Sequence, residues 1–352
     1  LNIFFEFLKL ILKIIKIIFL NIFIKIFYKD KFTKKNTKKN CAFVFFSNLL
    51  KYKNYFLDIQ YGLFTNKDKD LSYAIQFDYD LSLITNFINI NKILKKIPVD
   101  YYIINRHLSL NEIFRIYFYL FKNYLFLNNI LKKKNFFILK KINCEDILKP
   151  LLLKSFLGPI QYSLMNGLSL ANLFKKKKFK NFISYLEFFP TSRSVYYFLK
   201  KETLSKVNII SVNHANYSDN MLAFAIRKSD FSNSEDFLNY SPCPDIFCTQ
   251  GNKYFLRLKK IFSNKKIFKI GSLKFGMQDI DINKKKDNLR KKIKSKKKII
   301  SIFTSTKDYF GIVDILNKCD LSTFLVVLRP HPYYSEPTLT HFKQYFKFKF
   351  NQ

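Results

Sequence analysis

FISYLEFFPTSRSVYYFLKKETLSKVNIISVNHAN, residues 182–216, is the stretch from which the rest of the chain can be read. An apolar run at 182–186 delivers Glu187, Pro190 turns the chain, and Thr191 or Ser192 can cap a short helix reaching Lys201. A second apolar run at 207–212 ends in Asn213 and His214. Strand, helix, strand at this spacing is a βαβ unit, and a parallel pair puts both carboxyl ends on one sheet edge. The spacing therefore predicts Glu187 and His214 together on the rim where ligands of open α/β sheets bind. A carboxylate and an imidazole so placed can take a proton from a hydroxyl and orient it.

The same alternation continues on both sides. Residues 41–47 (CAFVFFS) read as a buried strand, 52–64 as a helix, 71–80 as a weaker strand, 83–96 as a helix, and 99–105 as a strand. Arg106 and His107, which end it, read as a surface loop. Residues 111–131 form a long apolar helix whose charges at Glu112, Arg115 and Lys122 suit a buried bundle. Residues 145–174 are helical with a break at Gly158 and Pro159. After His214 a polar loop, 215–240, encloses a short helix near 221–226. Pro242 and Pro244 lead into a strand at 245–249, Gln250 and Gly251 open a helix, and a strand at 267–270 closes on Gly271 and Ser272. Strands separated by helices of this length predict a doubly wound α/β domain over 41–278.

The charge run at 279–297 reads as a solvated linker. Beyond it, 298–306 is a strand ending in Thr304, Ser305 and Thr306, 308–318 a helix, and TFLVVL (323–328) a strand with RPHP (329–332) at its carboxyl end. Too little chain lies in 298–352 for an independent sheet domain, so the second Rossmann-like domain is expected to be incomplete. Leu1 in place of Met likewise reads as the start of a fragment.

The 352 residues carry 62 Lys and Arg against 25 Asp and Glu, a net charge of +37. Part of that lysine is compositional, since Lys, Asn, Ile and Phe run high while Gly numbers only 7 and Trp is absent. A basic balance of this size favours anionic partners: phosphorylated substrates, anionic lipid or nucleic acid. Lysines spread over the whole chain with no recognised module argue against a specific nucleic acid. The five cysteines are odd in number and scattered, and no His stands near Cys243 and Cys248 to complete a zinc set. They read as free thiols of a reducing, cytoplasmic compartment.

Residues 1–28 are almost wholly apolar, but their longest uncharged run, 17–24, is shorter than the roughly 17–25 residues of a membrane span. Glu6, Lys9, Lys13 and Lys16 fall within about one third of a helical wheel. That pattern predicts an interfacial helix on the inner face of the cytoplasmic membrane, with the basic linker 29–40 beside anionic headgroups. A signal-peptide core or a helix packed on the domain are the alternatives.

Taken in order, the motifs are Glu187, Pro190 and Arg193; Asn213 and His214; Pro244 and Asp245 leading to Gln250 and Gly251; Gly271 and Ser272; the Thr304–Thr306 strand end; and Arg329 to Pro332. In that order the chain resembles the bacterial surface and capsular polysaccharide glycosyltransferases of the GT-B fold. It is also similar, more distantly, to the CDP-glycerol glycerophosphotransferases, whose two essential histidines correspond to His214 and His331. It departs from the latter in having Asn213 and Ala215 around His214, which favours sugar transfer over polyol-phosphate transfer.

The resemblance implies a GT-B-like α/β fold of two Rossmann-like domains. Its partners would be a nucleotide sugar and a polysaccharide or lipid-linked acceptor. On chemical grounds Glu187 or His214 would deprotonate the acceptor hydroxyl, while Arg329, His331 and the Thr304, Ser305 and Thr306 hydroxyls would neutralise the departing phosphate. Arg193, Asn213, Gln250, Gly251, Gly271 and Ser272 complete the candidate site. No acidic pair at a strand end demands a cation, so the scheme needs neither a metal nor a cofactor. The competing readings are a CDP-linked polyol-phosphate transferase, a basic nucleic-acid-binding protein and a non-catalytic membrane-associated protein.

Overall fold

The computed structural model describes residues 2–32, 39–52, 54–58, 60–61, 70–131, 137–139, 142–156, 158–213, 228–232, 234–271, 297–303, 315–316 and 318–329. The chain divides into two compact units, Leu1–Gln278 and Asp279–Gln352.

In the first unit α1 (Asn2–Phe27) precedes β1 (Asn40–Phe45), a hairpin of β2 (Leu49–Tyr52) and β3 (Tyr55–Asp58), and β4 (Leu71–Gln76). Two helices, α2 (Ser82–Thr85) and α3 (Phe87–Lys95), lead to β5 (Asp100–Ile103) and α4 (Leu110–Leu131). A short hairpin, β6 (Ile138–Leu139) and β7 (Ile142–Asn143), precedes α5 (Glu145–Phe156) and α6 (Pro159–Lys177). The remaining elements are β8 (Asn181–Tyr185), α7 (Pro190–Thr203), β9 (Asn208–Val212), α8 (Glu235–Asn239), β10 (Ile246–Gln250), α9 (Gly251–Ile261) and β11 (Lys266–Ile270).

Seven of the strands make one sheet in the order β11-β10-β9-β8-β1-β4-β5, every pair parallel. From β1 the chain builds outward through β4 and β5, then returns to place β8 to β11 on the other side. The order therefore reverses between β1 and β8, which is the doubly wound arrangement the alternating elements predicted.

The core explains why the strand sequences are runs of apolar residues rather than alternations. Ala42, Val44, Tyr73 and Ile75 face a cluster with Ile17, Leu20 and Ile24 of α1 and Ile113 and Ile116 of α4. Their neighbours Cys41, Phe43 and Ala74 join a second cluster with Leu170, Leu173 and Phe174 of α6 and Val195, Tyr196 and Leu199 of α7. Successive side chains point to opposite faces, so a strand covered on both faces must be apolar throughout. Each large side chain so buried contributes about 1.5–3 kcal/mol.

The helix expected at 52–64 is not formed. Tyr55–Asp58 pairs antiparallel with Leu49–Tyr52, from Leu49 opposite Asp58 to Tyr52 opposite Tyr55. Tyr and Phe side chains favour the pleated surface, and the Asp58 carboxylate ends the strand by accepting the Gln60 and Tyr61 amides. Residues 83–96 form two helices rather than one, divided at Asn86. The helices expected near 221–226 and at 308–318 fall largely outside the described residues.

With few glycines available, α6 and α7 end on Lys178 (φ 55°) and Leu204 (φ 51°), left-handed positions that glycine usually takes. Gly167 is kept for another reason. A Cβ there would lie 2.6 Å from Phe198 Cδ2, 2.6 Å from Ser194 Oγ and 2.9 Å from the Ser194 carbonyl oxygen, so the α6 backbone passes directly over α7. The Ser194 carbonyl cannot rotate away as a side chain could. Gly167→Ala is expected to lose about 1–2 kcal/mol net, the clash exceeding the gain in helix propensity. Urea unfolding of the two proteins measures this; equal midpoints would show that the crossing has slack.

The second unit is described by β12 (Lys298–Phe303) and β13 (Phe324–Arg329), paired parallel from Lys298 opposite Phe324 to Phe303 opposite Arg329.

Candidate functional site

The reversal between β1 and β8 lies beside the end of β8. Past Tyr185 the ladder continues for one more bond, Leu186 N–H to the Val212 carbonyl at 2.7 Å. Glu187 follows, half-buried between the buried Leu186 and Phe188. Pro190 is the first residue of α7, where its missing N–H costs nothing, and Phe189 at the cap position supplies no side-chain bond. The expected Thr191 or Ser192 cap is thus absent because the helix begins one or two residues earlier. Instead Thr191 Oγ1 lies 3.1 Å from Ser163 Oγ.

Glu187, Thr191 and Ser192 line a small recess with Ser184, Tyr185 and Tyr196, about 10 Å³ in volume and so large enough for one water. Its floor is a closed polar network. Tyr196 Oη stands 2.6 Å from Ser211 Oγ, 3.0 Å from Ser184 Oγ and 3.2 Å from the Tyr185 carbonyl oxygen. Burial pushes the Tyr196 hydroxyl up to about 12, so it stays protonated and can donate.

Beside this floor lies a group the sequence reading missed. Tyr185 donates its hydroxyl to Asp58 Oδ2 at 2.5 Å and accepts from Asn48 Nδ2 at 3.2 Å. The Tyr61 ring stacks on Tyr185 with centroids 5.0 Å apart, and its hydroxyl bonds the Phe43 carbonyl at 3.1 Å. Asp58 is wholly buried, and burial pushes its carboxyl up to about 6 against the pull of its three hydrogen bonds. Nothing in the 52–64 stretch, read as a helix, pointed to it.

Along the same carboxyl edge, Asn213 is buried after β9, donates its N–H to the Cys248 carbonyl at 2.8 Å and accepts from Gln250 Nε2 at 2.9 Å through its own carbonyl. Gly251 opens α9 at φ 74°, a backbone value that suits glycine, with nothing within 4 Å of a Cβ. Gly271 closes β11 at this edge and is exposed. Glu187, Asn213, Gln250, Gly251 and Gly271 thus share one rim, at the ends of β8, β9, β10 and β11.

Other candidates stand elsewhere. Arg193 points to the far side of α7, where Nε donates to the Phe188 carbonyl at 2.9 Å, the guanidinium pairs with Asp230 at 3.7 Å, and it lies over the Phe231 ring. There it borders a groove of about 890 Å³ with Arg115, Tyr197 and Lys201. Asp245 is at the opposite edge of the sheet, before β10, paired with the buried Lys200 at 2.9 Å and accepting the Ile209 amide at 3.0 Å. It holds the end of α7 to the strand starts and takes no part at the rim. Arg106 and His107 are not a surface loop: both lie 3.5 Å from Asp30 Oδ2. Burial alone would raise the Asp30 carboxyl, but the bonds from His107 and the Ile103 amide hold it below the ordinary carboxylate range.

His214, Ser272, Thr304, Ser305, Thr306 and His331 lie outside the described residues, and Arg329 is the last residue of β13. Among the described residues no group of three or more His, Cys, Asp or Glu could hold a metal ion.

No family model matches the sequence, and no curated protein matches it. Among solved structures, UDP-GlcNAc 2-epimerase from Neisseria meningitidis bound to UDP-GlcNAc aligns over 87% of this chain and 68% of its own, at 11% identity and a TM-score of 0.41. A likeness at that level says nothing of chemistry.

Proposed function

We propose that the protein is a glycosyltransferase of the GT-B type, moving a sugar from a nucleotide-activated donor to a surface polysaccharide or its lipid-linked precursor. The observation that carries the reading is Glu187, a half-buried carboxylate at the end of β8, beside the point where the strand order reverses. Open α/β sheets bind ligands at that point. Glu187 accepts the proton of the acceptor hydroxyl, a role for which His214 is the alternative. The acceptor oxygen bonds the anomeric carbon as the bond from that carbon to the donor phosphate oxygen breaks. Arg329, His331 and the hydroxyls of Thr304, Ser305 and Thr306 are assigned to the negative charge that develops on the leaving nucleotide. Gln250, half-buried on the same rim, is a neutral hydrogen-bonding group of the kind a polyhydroxylated acceptor needs, and the carbonyl of the buried Asn213 accepts from its amide.

The test is thermal unfolding of the full chain with UDP, GDP, CDP and CMP, and with uridine as the uncharged control. One nucleotide is expected to stabilise the protein by about 2–3 kcal/mol at a hundredfold excess over its Kd. If none of the four moves the transition relative to uridine, the nucleotide-sugar reading fails.

A further inference from the structure

α1 is apolar on two faces. Ile17, Leu20 and Ile24 enter the core, yet Leu12, Ile15, Phe19 and Ile26 on the other side are 59, 57, 55 and 60% exposed. α4 repeats the arrangement: Ile113 and Ile116 are buried, while Phe118 and Phe126 are 73 and 65% exposed. The two helices contribute to one core cluster and touch each other, so both outer faces belong to the same part of the first unit. The expectation of a buried bundle for 111–131 is corrected here, because the domain covers only one side of the helix and leaves Phe114, Phe118, Phe121 and Phe126 exposed together with Arg115 and Lys122.

Large exposed apolar faces of this kind mark a binding surface rather than ordinary protein exterior. The charges say which. α1 carries Lys9, Lys13, Lys16 and Lys25 against a single acid, Glu6, within a chain of net charge +37. A second copy docked through the same helix would bring like lysines together with no acids to pair them. An anionic lipid surface meets both features, its acyl region taking the aliphatic and phenyl groups and its headgroups the exposed Lys9 and the half-buried Lys16, while Lys13 turns its ammonium over the Tyr162 ring at 5.2 Å. Among the described residues no helix is long and apolar enough to cross a membrane, which fits a helix lying in the interface. We infer that the outer faces of α1 and α4 together form the seat on which the first unit rests on an anionic bilayer. The inference adds α4 to the sequence expectation, which had placed residues 1–28 and the basic linker 29–40 there.

The inference is independent of the catalytic reading, and its readout is binding alone. The full chain is floated with vesicles of phosphatidylcholine and with vesicles containing phosphatidylglycerol, alongside the double variants Ile15→Asp/Phe19→Asp and Phe118→Asp/Phe126→Asp. These positions are exposed, so circular dichroism melts should match the parent and separate lost binding from lost folding. The parent is expected to partition onto the anionic vesicles about tenfold or more above the neutral ones, and each double variant to lose about tenfold or more of that binding. Three results overturn the inference: no flotation of the parent on anionic vesicles, α4 variants that float like the parent, or a dimer in sedimentation that both variants split while vesicles stay unbound.

Discussion

Glu187→Gln is expected to lower turnover by about 10²–10⁴-fold, the range that loss of a general base produces. Nucleotide-induced stabilisation should remain, because the donor is assigned to other residues. The backbone around Glu187 is fixed on both sides without its help. Leu186 is wholly buried and bonded to the Val212 carbonyl, and Phe188 is packed among Phe231, Phe247 and Phe262. Gln keeps the shape of Glu and removes only the charge, so the variant separates chemistry from folding. The measurement is release of nucleotide from the donor whose nucleotide passes the thermal test, with kcat and KM read separately. A fall in kcat at constant KM assigns Glu187 to the transition state. A variant that turns over like the parent removes it from the reaction, whatever nucleotide binds. Product analysis adds a further distinction, since sugar transfer leaves no phosphate in the new linkage and polyol-phosphate transfer does.

Residues 182–213 were legible because the physics of a covered parallel sheet writes itself into sequence as apolar runs at βαβ spacing. From those runs the rim position of Glu187 and Asn213 follows. The phase of α7 is legible too: Val195, Tyr196 and Leu199 recur at the spacing of one buried helix face, and Arg193 falls off that face. Arg193 therefore turns to Asp230, and its closeness to Glu187 in sequence misleads. The hairpin at 49–58 was not legible. Its eight paired residues contain the same Tyr, Leu and Lys as the helices around them, and only pairing across the turn decides between the two. The exposed side of α4 was hidden for a related reason. Glu112, Arg115 and Lys122 fall on one side of the helix, but the exposed Phe114, Phe118 and Phe121 are as apolar as the buried Ile113 and Ile116, so periodicity cannot tell covered from bare.

Asp58 should leave a mark on the pH dependence of stability that Asp58→Asn erases. The carboxyl is wholly buried, accepts from the Tyr185 hydroxyl and two amides, and meets no cation among the described residues. Burial therefore outweighs the hydrogen bonds and places its folded-state value at about 6, above the unfolded one. A raised value means that the folded protein holds the proton more tightly than the unfolded chain. The associated stability is fully present below the unfolded value and is lost as pH rises through about 6. Two pKa units correspond to roughly 3 kcal/mol, lost mostly between about pH 4 and pH 6. Asp30 works in the other direction, its depressed value withdrawing stability as the solution is acidified, so the profile of the parent alone mixes the two. Subtracting the Asp58→Asn profile isolates the wanted term, since Asp30 is common to both. In urea unfolding the parent is expected to lose about 2 kcal/mol relative to the variant between pH 4.5 and pH 7.5. Tyr185→Phe, which removes one of the three bonds holding the value down, should move the midpoint of that loss to higher pH. A difference that stays flat across the range would mean that Asp58 titrates like a carboxylate in water, and that the hairpin does not seal it as the structure has it.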